Sequence, residues 1–333
     1  MLSFCLFLTL GIFFSSSQPE YWGPETPLYR VLWVMGKEQP PHMLKVFSKD
    51  QVEQGEELVK FGRTKGPYGK KSPYISKYFV CTHCHNIEQE DPLLTSRNPG
   101  LRLEYSIEND LPFLQGTTFH GMVNRESWYN GDYVKKYGIA AKRAHKSLRE
   151  SIQLCAVECA QGRVLERWEE DAILAYLWTL EFTLGDLDLS PSDYRTLNQT
   201  QQRSSSKPVM RRFLEDKYLK DSPATFVDAP PDKAKGYDFP GDAEIGKEIY
   251  RLSCMHCHKE EGPSEYKLDY RTATFRQLRN RIPKDTHFSL YQIVRYGTIA
   301  QPGHRPYMPR YTLERMSHKQ VEDLRAYIEL MAY

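Results

Sequence analysis

Cys81-Thr82-His83-Cys84-His85 and Cys254-Met255-His256-Cys257-His258 are two copies of one pattern, Cys-x-x-Cys-His, in a chain of 333 residues. Two thiols at this spacing can reach both vinyl groups of one porphyrin, and the next His is left facing the iron. The pattern predicts two covalently bound haems c, attached through Cys81 and Cys84 and through Cys254 and Cys257. His85 and His258 are the predicted iron ligands. Zinc knuckles or disulfides are the alternative, which the trailing His in both copies disfavours.

The overall charge is nearly balanced, with 45 basic and 43 acidic residues. A chain of this balance gives no reason to expect nucleic acid or an anionic membrane as partner, so any attraction for an ion must be local. The length allows about two domains of roughly 150 residues each. Two haem modules fit that number.

The first 17 residues have the pattern of a secretion signal. Residues 1–14 are an apolar run and residues 15–17 are three serines, a combination typical of a signal peptide. The run is too short to span a bilayer, so no stable membrane span is predicted. Because bacteria attach haem to Cys-x-x-Cys-His outside the cytoplasm, we expect a periplasmic protein.

Each motif is framed by similar segments. Residues 55–59 precede the first motif as residues 246–250 precede the second, and both indicate a short amphipathic helix. Each half closes with an acidic residue four positions before Ala-Tyr, at Asp171 and Glu322. Apolar residues in the last segment recur at helical spacing, which gives a face for packing on the first helix. The arrangement resembles class I cytochrome c, in which the terminal helices cross beside the haem.

We therefore predict a mainly α fold with two class I cytochrome c-like haem domains, residues 22–185 and 241–333, joined by an extended linker. The linker, residues 186–240, contains runs rich in Asn, Gln, Ser and Pro. Such a composition buries little surface. One short helix is expected within it, at residues 209–218.

Met308 is the predicted sixth iron ligand of the second module. It lies in Arg305-Pro306-Tyr307-Met308-Pro309, fifty residues after His258 and just before the last helix. A thioether ligand raises the reduction potential of a haem. Met316 is the rival and is expected to serve in packing.

The first module has no Met at the corresponding position. Ser147 begins a helix with a capping-box pattern and Gly162 marks its end. Along this helix Leu148, Ile152, Cys155 and Cys159 form one stripe, so a thiol can reach the iron. Packing of the thiols, a Cys155–Cys159 disulfide, ligation by His120 or His145, and an open site are the alternatives.

These features together resemble the dihaem thiosulfate dehydrogenases, and more distantly the haem subunit of the Sox sulfur-oxidising complex. The similarity covers most of residues 50–333 and rests on the two motifs in this order, on Ile152-Gln153-Leu154-Cys155 and on Met308. The resemblance implies that Cys155 ligates the first haem, which is the active site, and that Met308 ligates the second, which passes electrons on. It further implies a ligating thiolate that takes part in the reaction.

Members of this family join two thiosulfate ions by oxidation to tetrathionate, or carry out the reverse reduction. The substrate is a small dianion, so cations are needed beside the haem. The predicted catalytic cations are Arg143 and Arg149, in a basic stretch next to Cys155, and Arg125, which flanks that stretch. A soluble cytochrome c or similar acceptor is the expected electron partner.

Two other functions remain open from the sequence. A periplasmic dihaem electron carrier without its own substrate shares both motifs and Met308. A dihaem peroxidase has similar motif spacing, but residues 46–50 only loosely match the Leu-Phe-x-Asp stretch of that family.

Overall fold

The computed structural model describes residues 21–284, 286, 288–298 and 306–333. The predicted signal peptide and Arg305 lie outside the described residues. Within them the chain is helical and has no β-strand; two isolated bridges join Pro27 to Thr183 and Lys65 to Lys71. The α-helices are α1 Leu28–Val34, α2 Lys49–Phe61, α3 Pro99–Glu108, α4 Tyr133–Tyr137, α5 Ile139–Ala144, α6 Leu148–Leu154, α7 Arg167–Trp178, α8 Pro191–Thr200, α9 Lys207–Glu215, α10 Ala243–Ile249, α11 Met255–His258, α12 Thr272–Arg281, α13 Leu290–Tyr296 and α14 His318–Met331.

Two helix pairs frame the two motifs in the same way. Helix α2 packs against α7, and α10 packs against α14. Gly55 of α2 lies so close to the backbone of Ala172 that a Cβ there would overlap its carbonyl oxygen, and Gly246 of α10 stands in the same relation to Asp323. The predicted first and last helices of each half therefore form and meet at equivalent glycines.

Three apolar clusters fill the interior. The first surrounds α2 and α7, the second surrounds α10 and α14, and the third lies around α1. Leu103 of α3 and Phe113 belong to the second cluster, although they precede it by more than a hundred residues. The two halves therefore share packing, and the expected boundary at residue 185 does not separate all contacts.

The segment expected to be an extended linker differs from the prediction. It contains α8, which was not predicted, and α9, which begins at Lys207 and ends at Glu215 rather than spanning 209–218. Leu197, Leu214 and Tyr218 are buried in the third cluster with residues of α1. A few apolar residues at helical spacing are enough to anchor a segment whose average composition is polar.

The helix that carries the candidate thiols changes its winding at those thiols. Ser147 caps α6, its side chain accepting from the backbone of Glu150. The regular α-helix ends at Leu154, and Cys155–Cys159 form one π-turn in which the Ala160 N–H donates to the Cys155 carbonyl at 2.8 Å. Such turns widen a helix locally and are frequent at functional sites.

Candidate functional site

The two predicted iron ligands are oriented by the same kind of hydrogen bond. Nδ1 of His85 donates to the Thr117 carbonyl at 2.6 Å, and Nδ1 of His258 donates to the Tyr266 carbonyl at 2.6 Å. Because a carbonyl oxygen only accepts, the proton lies on Nδ1 and Nε2 is left as the lone-pair donor in both residues. This is the usual arrangement of a metal-binding His.

The two motifs lie side by side. Cys257 Sγ is 3.9 Å from the His83 carbonyl oxygen, and the His256 ring hydrogen-bonds to the backbone of Thr82. The central residues of one motif thus contact those of the other. Haems attached to the two motifs would therefore be neighbours in the molecule.

A cavity opens beside the first motif. Its volume is about 220 Å³. Cys81, Cys84 and His85 lie in its wall together with apolar side chains of α2, α6 and α7. Paired thiols, an imidazole with a free Nε2 and an apolar cleft are what a haem c requires, so the residues present fit this group.

The predicted thiols line the same cavity and are both free. The disulfide considered as an alternative is therefore not formed in this structure. A hydrogen bond from Cys155 and others from the Tyr137 and Tyr129 hydroxyls, 3.4 and 3.5 Å away, lower the pKa of Cys159 to about 6 against the opposing effect of burial. The same thiol pair and burial raise the pKa of Cys155. The Cys159 thiolate is therefore the better stabilised of the two.

Of the three predicted arginines, only Arg125 lines the cavity. Its side chain is 3 % exposed, and Nη1 donates to Thr117 Oγ1 at 2.9 Å and to Ser222 Oγ at 2.6 Å. No carboxylate forms an ion pair with it among the described residues, and its Nε has no partner. Burial lowers its pKa to about 9.

The other two arginines are corrections to the sequence-based site. Arg149 is held in ion pairs with Glu170 and Asp171 of α7, which neutralise its charge. Arg143 is exposed on α5 and does not line the cavity. Both lie in the basic stretch, but neither lines the cavity that holds the thiols.

The alternative histidine ligands also lie outside the cavity wall. His120 is 3.6 Å from a carboxylate oxygen of Asp186, and His145 Nδ1 lies 3.1 Å from the Trp128 carbonyl oxygen. Met122 does line the cavity, with its sulfur 3.7 Å from Arg125 Nη1.

Sequence reasoning missed an aromatic and cationic part of the wall. The cavity is also lined by Tyr129, Tyr133, Lys136, Tyr137, Tyr307 and Arg310. The four-residue spacing of Tyr129, Tyr133 and Tyr137 is a signal that was available in the sequence. Tyr307 and Arg310 carry no such signal, because they come from the C-terminal half. No Asp or Glu is among the described residues that line the cavity.

Near the second motif, Met308 packs against the C-terminal apolar cluster. Its backbone N–H donates to Thr298 Oγ1 at 2.8 Å and its carbonyl accepts from the Thr298 N–H at 2.9 Å. Met316 is 1 % exposed within the same cluster, as expected for a packing residue. Ligation by Met308 stays a prediction.

No curated protein and no solved structure matches the chain. The family model described as cytochrome c matches residues 243–332, from the start of α10 to the end of α14. In the described part of the chain, no helix is long and apolar enough to cross a membrane. Residues 243–332 are therefore a cytochrome c domain, which implies a covalently bound haem c and haem-based electron transfer in this part of the chain.

Proposed function

We propose that the chain is a dihaem c-type cytochrome that oxidises thiosulfate to tetrathionate beside the first motif and passes electrons on through the second. The observation that carries the proposal is the cavity at Cys81–His85. It joins a complete haem-attachment motif, two free thiols and three cations, with no carboxylate among its described lining residues.

The second haem, in the cytochrome c domain, fits the role of electron outlet. A haem supplies a one-electron couple when bound, and joining two thiosulfate ions releases two electrons. The motifs contact each other through His83 and Cys257, so the two centres would adjoin. Met308 is proposed as the ligand that gives the second haem the higher potential, and a soluble cytochrome c is the proposed acceptor.

The charge of the cavity suits dianions. Two dianions about 5 Å apart repel by roughly 3 kcal/mol in bulk water and by about 13 kcal/mol at an effective dielectric of ~20. Arg125, Lys136 and Arg310 in the wall offset part of this repulsion. Cations without a protein counter-ion are costly to keep at a desolvated site unless an anion binds there.

The thiols are the proposed reactive groups. The resemblance assigns iron ligation to Cys155, and the tyrosine hydroxyls stabilise charge on Cys159. A thiolate beside cations is a strong nucleophile for sulfur chemistry. Export to the periplasm, where such a substrate is encountered, remains part of this proposal.

The direct test is electron transfer from thiosulfate to ferricyanide by the purified haem-loaded protein, with tetrathionate measured as product. Cys155→Ala should lose turnover by at least about a hundredfold, while Glu158→Ala should keep it. Glu158 is a suitable control because it lies in the same π-turn but is exposed and does not line the cavity. Equal turnover in Cys155→Ala and wild type would refute the role of this thiol.

The contact between the two motifs also favours a second candidate, an electron carrier without a substrate of its own. This function predicts rapid exchange with redox partners and no tetrathionate formation. Absence of thiosulfate turnover in either direction, with both haems present, would select it.

A further inference from the structure

Two of the cavity cations come from different halves of the chain. Lys136 is on α4, and Arg310 lies between Met308 and α14 in the cytochrome c domain. Both line the cavity beside the first motif. They are close enough that Arg310 contributes to lowering the pKa of Lys136, after the larger effect of burial.

Neither cation pairs with a carboxylate among the described residues, although the Cys159 thiol lies close enough to Lys136 to raise its pKa. The adjacent Lys135 shows the contrast, because its ammonium pairs with Asp132 at 2.6 Å. No carboxylate contacts Lys136 or Arg310, and Arg310 Nε is buried without a hydrogen-bond partner. Two positive charges at one cavity repel each other, and an anion bound between them would offset that repulsion.

Aromatic rings hold these cations in place without neutralising them. Lys136 Nζ lies 4.9 Å from the Tyr137 ring centroid and 5.8 Å from that of Tyr307. Arg310 Cζ lies 4.3 Å from the Phe226 ring centroid. Cation–π contacts of this kind orient a charge but leave its hydrogen-bond donors available.

The pair lies on the thiol side of the cavity. The hydroxyl of Tyr137, the ring beside Lys136, is 3.4 Å from Cys159 Sγ. Arg125 is instead tied to Thr117, whose carbonyl orients His85. The cavity cations therefore fall into two groups, one at the axial His and one at the thiols.

We propose that Lys136 and Arg310 form a binding subsite for a small sulfur oxyanion next to Cys159. The inference rests on the proposed function for the identity of the substrate, but the anion subsite itself does not need turnover to be seen. It means that the cytochrome c domain contributes to substrate binding as well as to electron transfer.

An oxyanion at these cations has two possible sources, a free sulfur oxyanion or the carboxylates of the haem itself. Arg125 is tied to Thr117, whose carbonyl orients His85, and would be available to the haem carboxylates. We assign the free ion to Lys136 and Arg310.

The test is calorimetric titration of the oxidised, haem-loaded full chain with inorganic sulfate, which matches thiosulfate in charge and shape but is not oxidised. Lys136→Gln and Arg310→Gln should each raise the Kd by at least about tenfold, because hydrogen bonds to charged groups are worth ~1.5–3 kcal/mol. Arg310→Lys, which keeps the charge, should stay within about threefold of wild type. The controls Lys135→Gln and Arg167→Gln alter exposed cations outside the cavity and should leave the Kd unchanged.

The haem potentials and visible spectra of the same variants separate the two sources. Weakened sulfate binding with unchanged potentials supports the subsite. Unchanged sulfate affinity overturns it, and shifted potentials with unchanged affinity would assign the cations to the haem carboxylates. If the wild type binds sulfate through these residues but does not oxidise thiosulfate, the subsite stands and the proposed substrate fails.

Discussion

Two neighbouring thiols, Cys155 and Cys159, share one π-turn but differ in electrostatic surroundings. Cys159 accepts hydrogen bonds from the Tyr137 and Tyr129 hydroxyls, and it also accepts one from the Cys155 thiol, which keeps its proton. The pair can therefore hold one proton and one negative charge next to the first motif. This division of roles follows from the turn, which brings the two side chains into contact.

Substitution of Met308 by Leu should lower the reduction potential of one haem, because a thioether ligand raises it. A spectroelectrochemical titration of the haem-loaded protein would measure the two potentials. Met316→Leu is the matched control, since Met316 is buried in the C-terminal core. Unchanged potentials in Met308→Leu would remove Met308 from the iron.

Stability should depend on pH through Glu181. Burial raises the pKa of this carboxyl from 4.5 to about 7, against the opposing hydrogen bond from the Tyr29 N–H. The folded protein then holds a proton that the unfolded chain releases, so stability due to this group falls as pH rises from about 4.5 to about 7. Thermal unfolding between these pH values should show a smaller decline in Glu181→Gln than in wild type. Parallel pH profiles would contradict this assignment.

The sequence alone indicates the candidate attachment residues of both motifs, because the Cys-x-x-Cys-His pattern depends on local spacing. It failed at Arg149, whose partners Glu170 and Asp171 lie on another helix and neutralise it. Arg310 carries no sequence signal of a site residue, because only the fold brings it to the cavity beside the first motif. The sequence shows which residues are charged, but it does not show which of them the fold brings together in ion pairs.

The crossings of α2 with α7 and of α10 with α14 depend on a glycine at each contact. Gly55→Ala and Gly246→Ala should each destabilise the fold by about 1–3 kcal/mol through overpacking, although Ala is the better helix former by roughly 1 kcal/mol. Chemical denaturation would measure the loss. Gly23→Ala is the control, because a Cβ at Gly23 meets only the Tyr21 ring, at 3.5 Å, and should have little effect. Equal stability of all three variants would contradict the close helix crossings.

The first and last helices of each half could be predicted, because the apolar periodicity of each helix is visible in its own stretch of sequence. Helix α8 was not, since the polar average of residues 186–240 hides Leu197, which the fold buries beside α1. The π-turn at Cys155–Cys159 was also missed, because an α-helical register was assumed throughout that segment. Local patterns thus gave the pairs of helices but not the deviations at the site.

A buried ion pair joins the two halves of the protein. Arg315 donates to both oxygens of Glu90 at 2.6 and 2.9 Å, and Glu90 also accepts from the Thr118 N–H at 2.8 Å. Burial opposes ionisation, yet Arg315 holds the pKa of Glu90 well below its usual range. Because Thr118 follows Thr117, whose carbonyl orients His85, this contact ties the C-terminal half to the predicted iron ligand of the first motif.

Glu90→Gln should destabilise the protein by about 3–5 kcal/mol, because it leaves Arg315 buried without its counter-charge. Denaturant unfolding at neutral pH would measure the change. Glu53→Gln removes one partner of an exposed pair with Lys49 and should cost less than about 1 kcal/mol. A similarly small loss for Glu90→Gln would show that the two halves do not depend on this pair. The two residues are 225 positions apart, so no sequence pattern could have indicated it.

We expect the first motif, like the one in the cytochrome c domain, to carry a haem. The measurement is the amount of covalently bound haem per chain, from the pyridine haemochrome absorbance together with the intact mass. We expect two haems in the wild type and one in the Cys81→Ser, Cys84→Ser double variant. One haem in both proteins would rule out a haem at the first motif, and the cavity beside Cys81–His85 would then hold no redox centre.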